Sequence, residues 1–384
     1  SGICPSVNST SATIVVDPAT VAGTVTGGST ICEGSSTGTL TLSGHTGSVV
    51  KWQVSADGGA TWTDIANTAT TYSTTPAGAG TYMYRAEVQS GVCAAAFSTA
   101  TTVIVDPATV AGTVTGGSTI CEGGSTGVLT LSGYTGTVVK WQYRYNSGAW
   151  TDIANTADTY STTLVVPGVY EYRAEVQSGS CGSAFSTATT VTVDPAVVAG
   201  AVTGGTTDIC LGNPTGTMTL AGHTGNVVKW QKRVDGGAWV DIATTLTTYS
   251  EIPSTVGVWD YRAEVESGAC GSAFSTAHTI TVDPAAVGGS IAGSTTICEG
   301  SSTGTLTLSG HVGTIVKWQR SDDGGTTWTD IANTTTTYSE VLVVPGTYLY
   351  RAELASGTCP NVFSVVATIV VDPATVAGTV TGGS

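Results

Sequence analysis

The sequence predicts an all-β chain made of tandem antiparallel β-sandwiches, and composition, repetition and turn spacing all point to this fold class. Val, Thr, Ile, Tyr and Trp are plentiful, charged residues are 10% of the chain, and Gly accounts for 51 of its 384 residues. Such a composition favours strands over helices. Each repeat contains about seven short alternating runs separated by turns, the pattern of an antiparallel sandwich. The string Asp-Pro-Ala marks the repeat and recurs at Asp17, Asp106, Asp194, Asp283 and Asp372.

The steps between these strings are 88 or 89 residues and set the domain boundaries. We expect four complete repeats: repeat 1 (18–106), repeat 2 (107–194), repeat 3 (195–283) and repeat 4 (284–372). Residues 1–17 are then the closing strand of a preceding repeat, and residues 373–384 the opening strand of a following one. Two explanations remain open: the polypeptide continues through further repeats, or a neighbouring chain supplies the missing strands.

Alternation of apolar and polar residues identifies the strands inside a repeat. In VVKWQV, Val50 and Trp52 are predicted to share the face that points to the core. In TYMYRAEV, the core face is predicted to carry Tyr82 and Tyr84. Position 82 stays aromatic in every repeat, as a core position requires.

Glycine-rich turns separate these strands. The Asp-Gly-Gly strings at Asp57 and Asp235 predict tight hairpins between the strand of the first tryptophan and that of the second. The Ser-Gly pair at Ser90 predicts another hairpin.

These residues resemble the bacterial immunoglobulin-like superfamily, through Cys32, then Trp52, then the pair Tyr82 and Tyr84. The resemblance implies tandem immunoglobulin-like sandwiches. The Thr-rich strands, the KWQ–DGG–W pattern and the ICEG opening also resemble the tandem repeats of giant surface adhesins of Bacteroidota. Those proteins are typically exported by type IX secretion and include gliding-motility adhesins, which implies an extracellular location at the bacterial cell surface.

The nine cysteines recur regularly and predict one disulfide bond within each repeat, with separations of 60 or 61 residues. The expected pairs are Cys32–Cys93, Cys121–Cys181, Cys210–Cys270 and Cys298–Cys359. Cys4 is left over because the first half of its repeat is missing. Regular pairing indicates an oxidising, extracellular setting. No CxxC string or Cys/His cluster occurs, so we expect no zinc site.

No catalytic site is predicted. Glu87 and Asp64 recur in every repeat, but Glu87 is expected to pair with Lys51 on the neighbouring strand, and Asp64 to serve a turn. The His45 position becomes Tyr134 in repeat 2, which argues against a required imidazole. We therefore expect a protein that is not an enzyme.

The second tryptophan of each repeat is the best candidate for ligand binding. It is predicted to lie on an edge strand beside the Asp-Gly-Gly hairpin, where an exposed indole could stack on a sugar. The favoured alternative is that it covers the end of the sandwich with its indole N–H paired. The four residues are Trp62, Trp150, Trp239 and Trp328.

The joints between repeats read Val-Asp-Pro-Ala, and proline stiffens such a short linker. We expect a semi-rigid linear rod that advances about 40 Å per repeat. Each joint offers single carboxylates, among them Glu33, whereas calcium needs about 6 to 8 oxygen ligands. We therefore expect no cofactor.

The predicted function is a structural stalk or filament segment of a long secreted bacterial adhesin. The alternative is a multivalent carbohydrate-binding array that uses the second tryptophan of each repeat. Expected partners are the chain itself, as further repeats or neighbouring copies in a fibre, and surface glycans. The excess of 27 acidic over 12 basic residues argues against nucleic acid. No run of about 18 apolar residues occurs, so we expect no membrane span.

Overall fold

In the computed structural model, which describes residues 2 and 4–378, each of the four repeats folds as two β-sheets packed face to face. The chain divides into two units, Ser1–Asp194 with repeats 1 and 2, and Pro195–Ser384 with repeats 3 and 4. Within the described residues, no helix has the length and apolar character needed to span a membrane.

Nine strands recur in the same order in every repeat, and repeat 4 has a further two-stranded sheet. Repeat 1 contains β1 (Thr24–Thr26), β2 (Thr30–Cys32), β3 (Leu40–Ser43), β4 (Ser48–Ser55), β5 (Thr63–Ile65), β6 (Thr71–Tyr72), β7 (Gly80–Gln89), β8 (Ala96–Phe97) and β9 (Thr101–Asp106). Repeat 2 contains β10 (Thr113–Thr115), β11 (Thr119–Cys121), β12 (Leu129–Ser132), β13 (Thr137–Tyr145), β14 (Thr151–Ile153), β15 (Thr159–Tyr160), β16 (Gly168–Gln177), β17 (Ala184–Phe185) and β18 (Thr189–Asp194).

Repeats 3 and 4 follow the same plan. Repeat 3 contains β19 (Ala201–Gly204), β20 (Asp208–Cys210), β21 (Met218–Ala221), β22 (Asn226–Val234), β23 (Val240–Ile242), β24 (Thr248–Tyr249), β25 (Gly257–Glu266), a 3-10 turn (Gly268–Cys270), β26 (Ser272–Phe274) and β27 (His278–Asp283). Repeat 4 contains β28 (Ser290–Ala292), β29 (Thr295–Cys298), β30 (Ser301–Ser302), β31 (Leu306–Ser309), β32 (Thr314–Ser321), β33 (Thr329–Ile331), β34 (Thr337–Tyr338), β35 (Val341–Leu342), β36 (Gly346–Ala355), β37 (Val362–Phe363) and β38 (Ala367–Asp372).

Repeat 1 shows the topology that all four share. The smaller sheet has the order β1-β3-β6, and the larger sheet has the order β2-β9-β7-β4-β5, with β8 also paired to β7. The opening segment therefore serves both sheets: β1 pairs antiparallel with β3, and β2 crosses over to pair parallel with β9. This confirms the prediction of all-β, tandem immunoglobulin-like sandwiches.

A tryptophan on an inner strand of the larger sheet, β4 in repeat 1, fills the core of each sandwich. Trp52 is fully buried, and its indole nitrogen donates to the carbonyl oxygen of Ala69 at 2.9 Å. Tyr84 on β7 packs into the same cluster, as its predicted core face requires. The counterparts of this tryptophan, also fully buried, are Trp141, Trp230 and Trp318.

A β-bulge overturns one prediction about this strand. The register between β4 and β7 shifts between Val49 and Lys51, so that one extra residue is inserted before Trp52. Val49 is 7% exposed and faces the core, whereas Val50 is 42% exposed. The predicted pairing of Val50 with Trp52 on one face is therefore wrong, because the bulge switches the alternation at that point.

The Asp-Gly-Gly strings form two kinds of turn. In repeat 3, Asp235 and Gly236 have positive φ angles of 49° and 69°, as in a two-residue hairpin of the predicted tight kind. In repeat 1, the loop is longer and folds around Asp57. Its carboxylate accepts bonds from the Ser55 hydroxyl at 2.6 Å and from the backbone N–H of Thr61 at 2.9 Å.

The described residues at the two ends of the chain contain no strand. The predicted closing strand within residues 1–17 does not form in residue 2 or residues 4–17. In repeat 1 the equivalent strand, β9, lies between β2 and β7, and residues 4–17 have no such neighbours. The predicted opening strand in 373–384 is likewise absent from residues 373–378, and its remainder lies outside the described residues.

Candidate functional site

The disulfide bonds join successive repeats instead of closing single ones. Cys32 of repeat 1 is bonded to Cys181 of repeat 2, with a Cα–Cα distance of 4.7 Å. In the second unit, Cys210 of repeat 3 is bonded to Cys359 of repeat 4, with a Cα–Cα distance of 4.9 Å. Both bonds span 149 positions of the sequence. The first cysteine of one repeat therefore binds the second cysteine of the next.

This arrangement corrects the predicted pairing. Cys32–Cys93 and Cys298–Cys359 do not form; Cys93 and Cys298 carry free thiols, as does Cys4. Cys121 and Cys270 are also disulfide-bonded, and Cys181 and Cys210, predicted to pair with them, have the partners given above. The predicted pairs Cys121–Cys181 and Cys210–Cys270 are therefore wrong as well.

The physical reason is the direction of the strands. Cys32 lies opposite Asp106 at the end of β9, where the chain leaves repeat 1. Cys93 lies in the turn that follows the ten-residue strand β7, and β7 begins beside the end of β9. The two thiols therefore lie at opposite ends of the sandwich, roughly 30 Å apart along β7. A disulfide needs Cα atoms within about 7 Å.

The Asp-Pro linker is held by both repeats that it joins. The Asp106 carboxylate accepts a bond from the backbone N–H of Ser180 in repeat 2, at 2.7 Å. The Glu33 carboxylate of repeat 1 accepts one from the N–H of Ala108, at 3.2 Å. The Thr109 hydroxyl donates to the carbonyl of Gly182 at 2.9 Å. The linker therefore lies docked beside the disulfide rather than free in solvent.

The same joint recurs in the second unit. The Asp283 carboxylate accepts a bond from the N–H of Thr358 at 2.9 Å. At Gly357 a Cβ atom would come within 2.0 Å of the Asp283 carboxyl carbon, and the φ angle of +49° also favours glycine. The turn that carries the second cysteine therefore needs a glycine to approach the linker this closely.

The candidate calcium ligands at the joint between repeats 1 and 2 are Glu33 and the Asp of the Asp-Pro linker, Asp106. The two carboxylates there, Glu33 and Asp106, already accept backbone hydrogen bonds. Among the residues that the structure describes, no group of three or more His, Cys, Asp and Glu side chains is placed to hold a metal ion.

A layer of paired polar side chains covers the outer face of the larger sheet. Lys51 lies 2.7 Å from the Asp64 carboxylate and 3.3 Å from that of Glu87, which confirms the predicted Lys51–Glu87 pair. Gln53 donates to the other oxygen of Asp64 at 2.7 Å. Asp64 therefore ties β5 to β4 and does not serve a turn, contrary to the prediction.

Arg85 continues this layer towards two aromatic rings. Its Nε donates to Gln53 at 2.9 Å, and its guanidinium lies 3.9 Å from the ring centroids of both Trp62 and Phe97. Burial lowers the pKa of Arg85. Each repeat stacks an arginine between a tryptophan and a phenylalanine in this way, and the other three arginines are Arg173, Arg262 and Arg351.

The candidate tryptophans therefore belong to this layer. Trp62 directly precedes the edge strand β5 and is half-buried. Its indole N–H donates to the carbonyl of Gly59 at 3.0 Å, and that of Trp328 donates to Gly325 at 3.1 Å. Trp150 and Trp239 are half-buried at the same position. Sugar binding by these four residues stays a prediction.

Sequence reasoning missed the stacked phenylalanine. A signal was present, since the chain has only four phenylalanines and they occupy one equivalent position in the four repeats. They are Phe97, Phe185, Phe274 and Phe363.

The lysine and its two carboxylates raise the question of whether they can form an amide bond. That reaction needs a neutral amine and a protonated carboxyl group. The hydrogen bond with Asp64 raises the pKa of Lys51, and the same bond lowers the pKa of Asp64. With their charged atoms 2.7 Å apart, Lys51 and Asp64 form an ion pair.

Repeats 3 and 4 contain a further ionic cluster at the edge of the core. The Glu251 carboxylate accepts bonds from the hydroxyls of Tyr261 at 2.8 Å and Tyr249 at 2.9 Å, and lies 2.5 Å from Lys232. In repeat 4, Glu340 accepts a bond from Tyr350 at 2.6 Å and lies 3.0 Å from the Arg320 guanidinium.

Comparison with known proteins places these repeats in a family. A family described as a domain of unknown function, DUF8696, matches residues 21–107, 110–195, 198–284 and 287–373. No curated protein matches the chain.

Among solved structures, the chain is similar to several chains of tandem immunoglobulin domains. Titin domains I67–I69, in an E-to-A mutated variant, are 14% identical with a TM-score of 0.44, over 66% of this chain and 95% of that one. Sidekick-1 immunoglobulin domains 1–5 are 13% identical with a TM-score of 0.31, over 92% and 81%. The four N-terminal domains of Dscam1 isoform 6.9 are 11% identical with a TM-score of 0.27, over 93% and 99%.

Proposed function

The chain belongs to the DUF8696 family, and we propose that it is a structural stalk or filament segment of a long secreted adhesin at a bacterial cell surface. One observation carries the proposal: disulfide bonds link successive repeats, Cys32 to Cys181 and Cys210 to Cys359. Disulfide bonds persist in oxidising compartments, outside the cytoplasm. Bonds that cross a joint stiffen an array, whereas bonds inside each repeat would stabilise only single domains.

The joints have the construction that a stalk needs. A docked Asp-Pro linker lies beside each of the two bridges and is bonded to the following repeat, through Asp106 in one case and Asp283 in the other. Such a joint resists bending more than a free Gly/Ser linker would. We infer that the repeats follow one another in a semi-rigid rod.

The recurring polar residues fit a structural role. Lys51, Asp64, Gln53 and Arg85 pair with one another across three strands, and every repeat keeps the same set. We infer that this layer stabilises the larger sheet and that the chain has no catalytic activity. The resemblance to Bacteroidota adhesins supports a surface location and export by type IX secretion.

We propose that the partners of this segment are further repeats of the same kind. The free thiols of Cys93 and Cys298 support this, because their counterparts in neighbouring repeats bridge to an adjacent repeat. Those repeats belong either to the same polypeptide or to a neighbouring copy.

Thiol labelling of intact source cells tests the proposed location. Cells are treated with a membrane-impermeant reductant and then with a membrane-impermeant maleimide, and labelled peptides are identified by mass spectrometry. We expect Cys32 and Cys181 to be labelled on intact cells, and only after reduction. A cytoplasmic thiol protein serves as the control and stays unlabelled. Labelling of Cys32 and Cys181 only after lysis, or without the reductant, would contradict the proposal.

A further inference from the structure

We propose a further function for the bridges between repeats: under tension they carry the load past the β-sandwiches, so that pulling on the chain does not unfold them. This inference concerns the covalent connections of the molecule and holds whether or not the proposed cellular role is correct.

The covalent path through the first unit is much shorter than the backbone. A force that enters before Cys32 passes through its sulfur to Cys181, because that bond is far stronger than the hydrogen bonds of a sheet. Residues 33–180 lie inside the loop that this bond closes, so the bond carries the force past them. This loop holds β3 to β9 of repeat 1 and β10 to β16 of repeat 2.

The second unit repeats the arrangement. The Cys210–Cys359 bond removes residues 211–358 from the path, which include most of repeats 3 and 4. The shortest covalent path from Cys181 to Cys210 is the backbone of residues 182–209, which contain β17 to β19 and β20 as far as Ile209. Fully extended, this segment reaches roughly 100 Å, whereas one repeat of 89 residues reaches roughly 300 Å.

The sandwich has a short ladder that this bypass protects. Strand β2, near the entry of repeat 1, pairs with β9, near its exit, and the two strands run parallel. Pulling on entry and exit would therefore shear the two strands past each other. Their ladder extends only over Thr30–Cys32, three residues long. Cys32 is the last residue of this ladder. The disulfide bond at Cys32 therefore carries the force that the hydrogen bonds of the ladder would otherwise carry.

Single-molecule force spectroscopy of the whole chain, held at its two ends, tests this function. In the oxidised chain, we expect no unfolding steps of roughly 300 Å. After reduction with TCEP, the same molecules should show steps of that length, up to one for each of the four repeats. Steps of roughly 300 Å in the oxidised chain, at the same number and force as in the reduced chain, would overturn the proposal.

A pair of variants locates the effect in one bridge. Cys32→Ser with Cys181→Ser should add at least one step of roughly 300 Å in the oxidised state, since residues 18–120 then contain no bridge. Cys93→Ser is the matched control and should leave the oxidised trace unchanged, because the Cys93 thiol is free. If the double variant pulls like the oxidised wild type, the Cys32–Cys181 bridge does not carry the load. The in situ reduction of the wild type requires no substitution, so a folding defect in a variant cannot mimic the result.

Discussion

The two units of the chain fill one equivalent core-edge position in different ways. In repeat 1 of the first unit, the two residues at this place are Val54 and Thr74. In repeat 3 of the second unit, they are Lys232 and Glu251, whose charged atoms lie 2.5 Å apart. The Glu251 side chain is only 16% exposed. A carboxylate this buried is tolerated when a cation and tyrosine hydroxyls surround it.

Repeats 2 and 4 show the same difference beside nearly identical loops, which read TTLVVPG and EVLVVPG. Repeat 4 has Arg320 and Glu340 at this position, 3.0 Å apart. Repeat 2 has Tyr143 and Thr162, and beside them lies a cavity of about 310 Å³ lined by four tyrosines. In both comparisons, the two residues of the pair therefore differ together: both are charged in the second unit, and neither is charged in the first. This teaches that the sandwich accepts charge here only as a complete pair.

The largest expected effect comes from breaking one of these pairs. Lys232→Val should leave the Glu251 carboxylate without its cation and destabilise repeat 3 by about 1–3 kcal/mol. The free energy of opening is measured by hydrogen exchange at core amides of repeat 3, with those of repeat 1 as an internal reference.

The matched control restores the pair found in the first unit. Lys232→Val together with Glu251→Thr should recover most of the lost stability, because no charge then stays unpaired. If Lys232→Val alone leaves exchange in repeat 3 unchanged, or if the double variant is no better, the two residues do not act as a pair.

A smaller effect is expected in alkali. Burial raises the pKa of Tyr84 in the first unit to about 12. In the second unit, burial and then the bond to Glu251 raise the pKa of Tyr261. An unfolded tyrosine has a pKa of about 10, so these groups contribute stability below about pH 10 that is lost as the pH rises towards their folded values.

Removing the charge of Glu251 should change the pH at which tyrosine ionises in the second unit but not in the first. Glu251→Gln should let Tyr261 ionise at lower pH, while Tyr84 stays unchanged as the control. Phenolate absorbance near 295 nm, followed with far-UV circular dichroism, measures both ionisation and unfolding. Ionisation of all 14 tyrosines near pH 10 with the fold intact would contradict the account.

Patterns local to a strand were predictable from the sequence, and contacts between distant segments were not. Alternation identified the core face of β7, and the Lys51–Glu87 pair followed from neighbouring strands. The bulge before Trp52 was missed because Val49 and Val50 are both apolar, so the sequence does not show which of the two faces the core. The partner of Lys232 was missed because Glu251 lies 19 positions away, in the loop after β24, which is an edge strand of the other sheet.

The cysteine pairing failed for a related reason. Constant spacing of 60 or 61 residues is equally compatible with bonds inside a repeat and bonds between repeats. Only the direction of β7 shows that Cys32 and Cys93 lie at opposite ends of one sandwich. In a regular array, a cysteine at the far end of one repeat lies next to the near end of the following repeat. Sequence periodicity alone does not distinguish a bond inside a repeat from a bond between repeats.

Peptide mapping of the non-reduced protein tests the central claim, that disulfide bonds link successive repeats. The chain is digested with its free thiols blocked, and cross-linked peptides are identified by mass spectrometry. We expect one species that joins the Cys32 and Cys181 peptides, another that joins those of Cys210 and Cys359, and a blocked thiol at Cys93. A species that joins the Cys32 peptide to the Cys93 peptide would contradict the account.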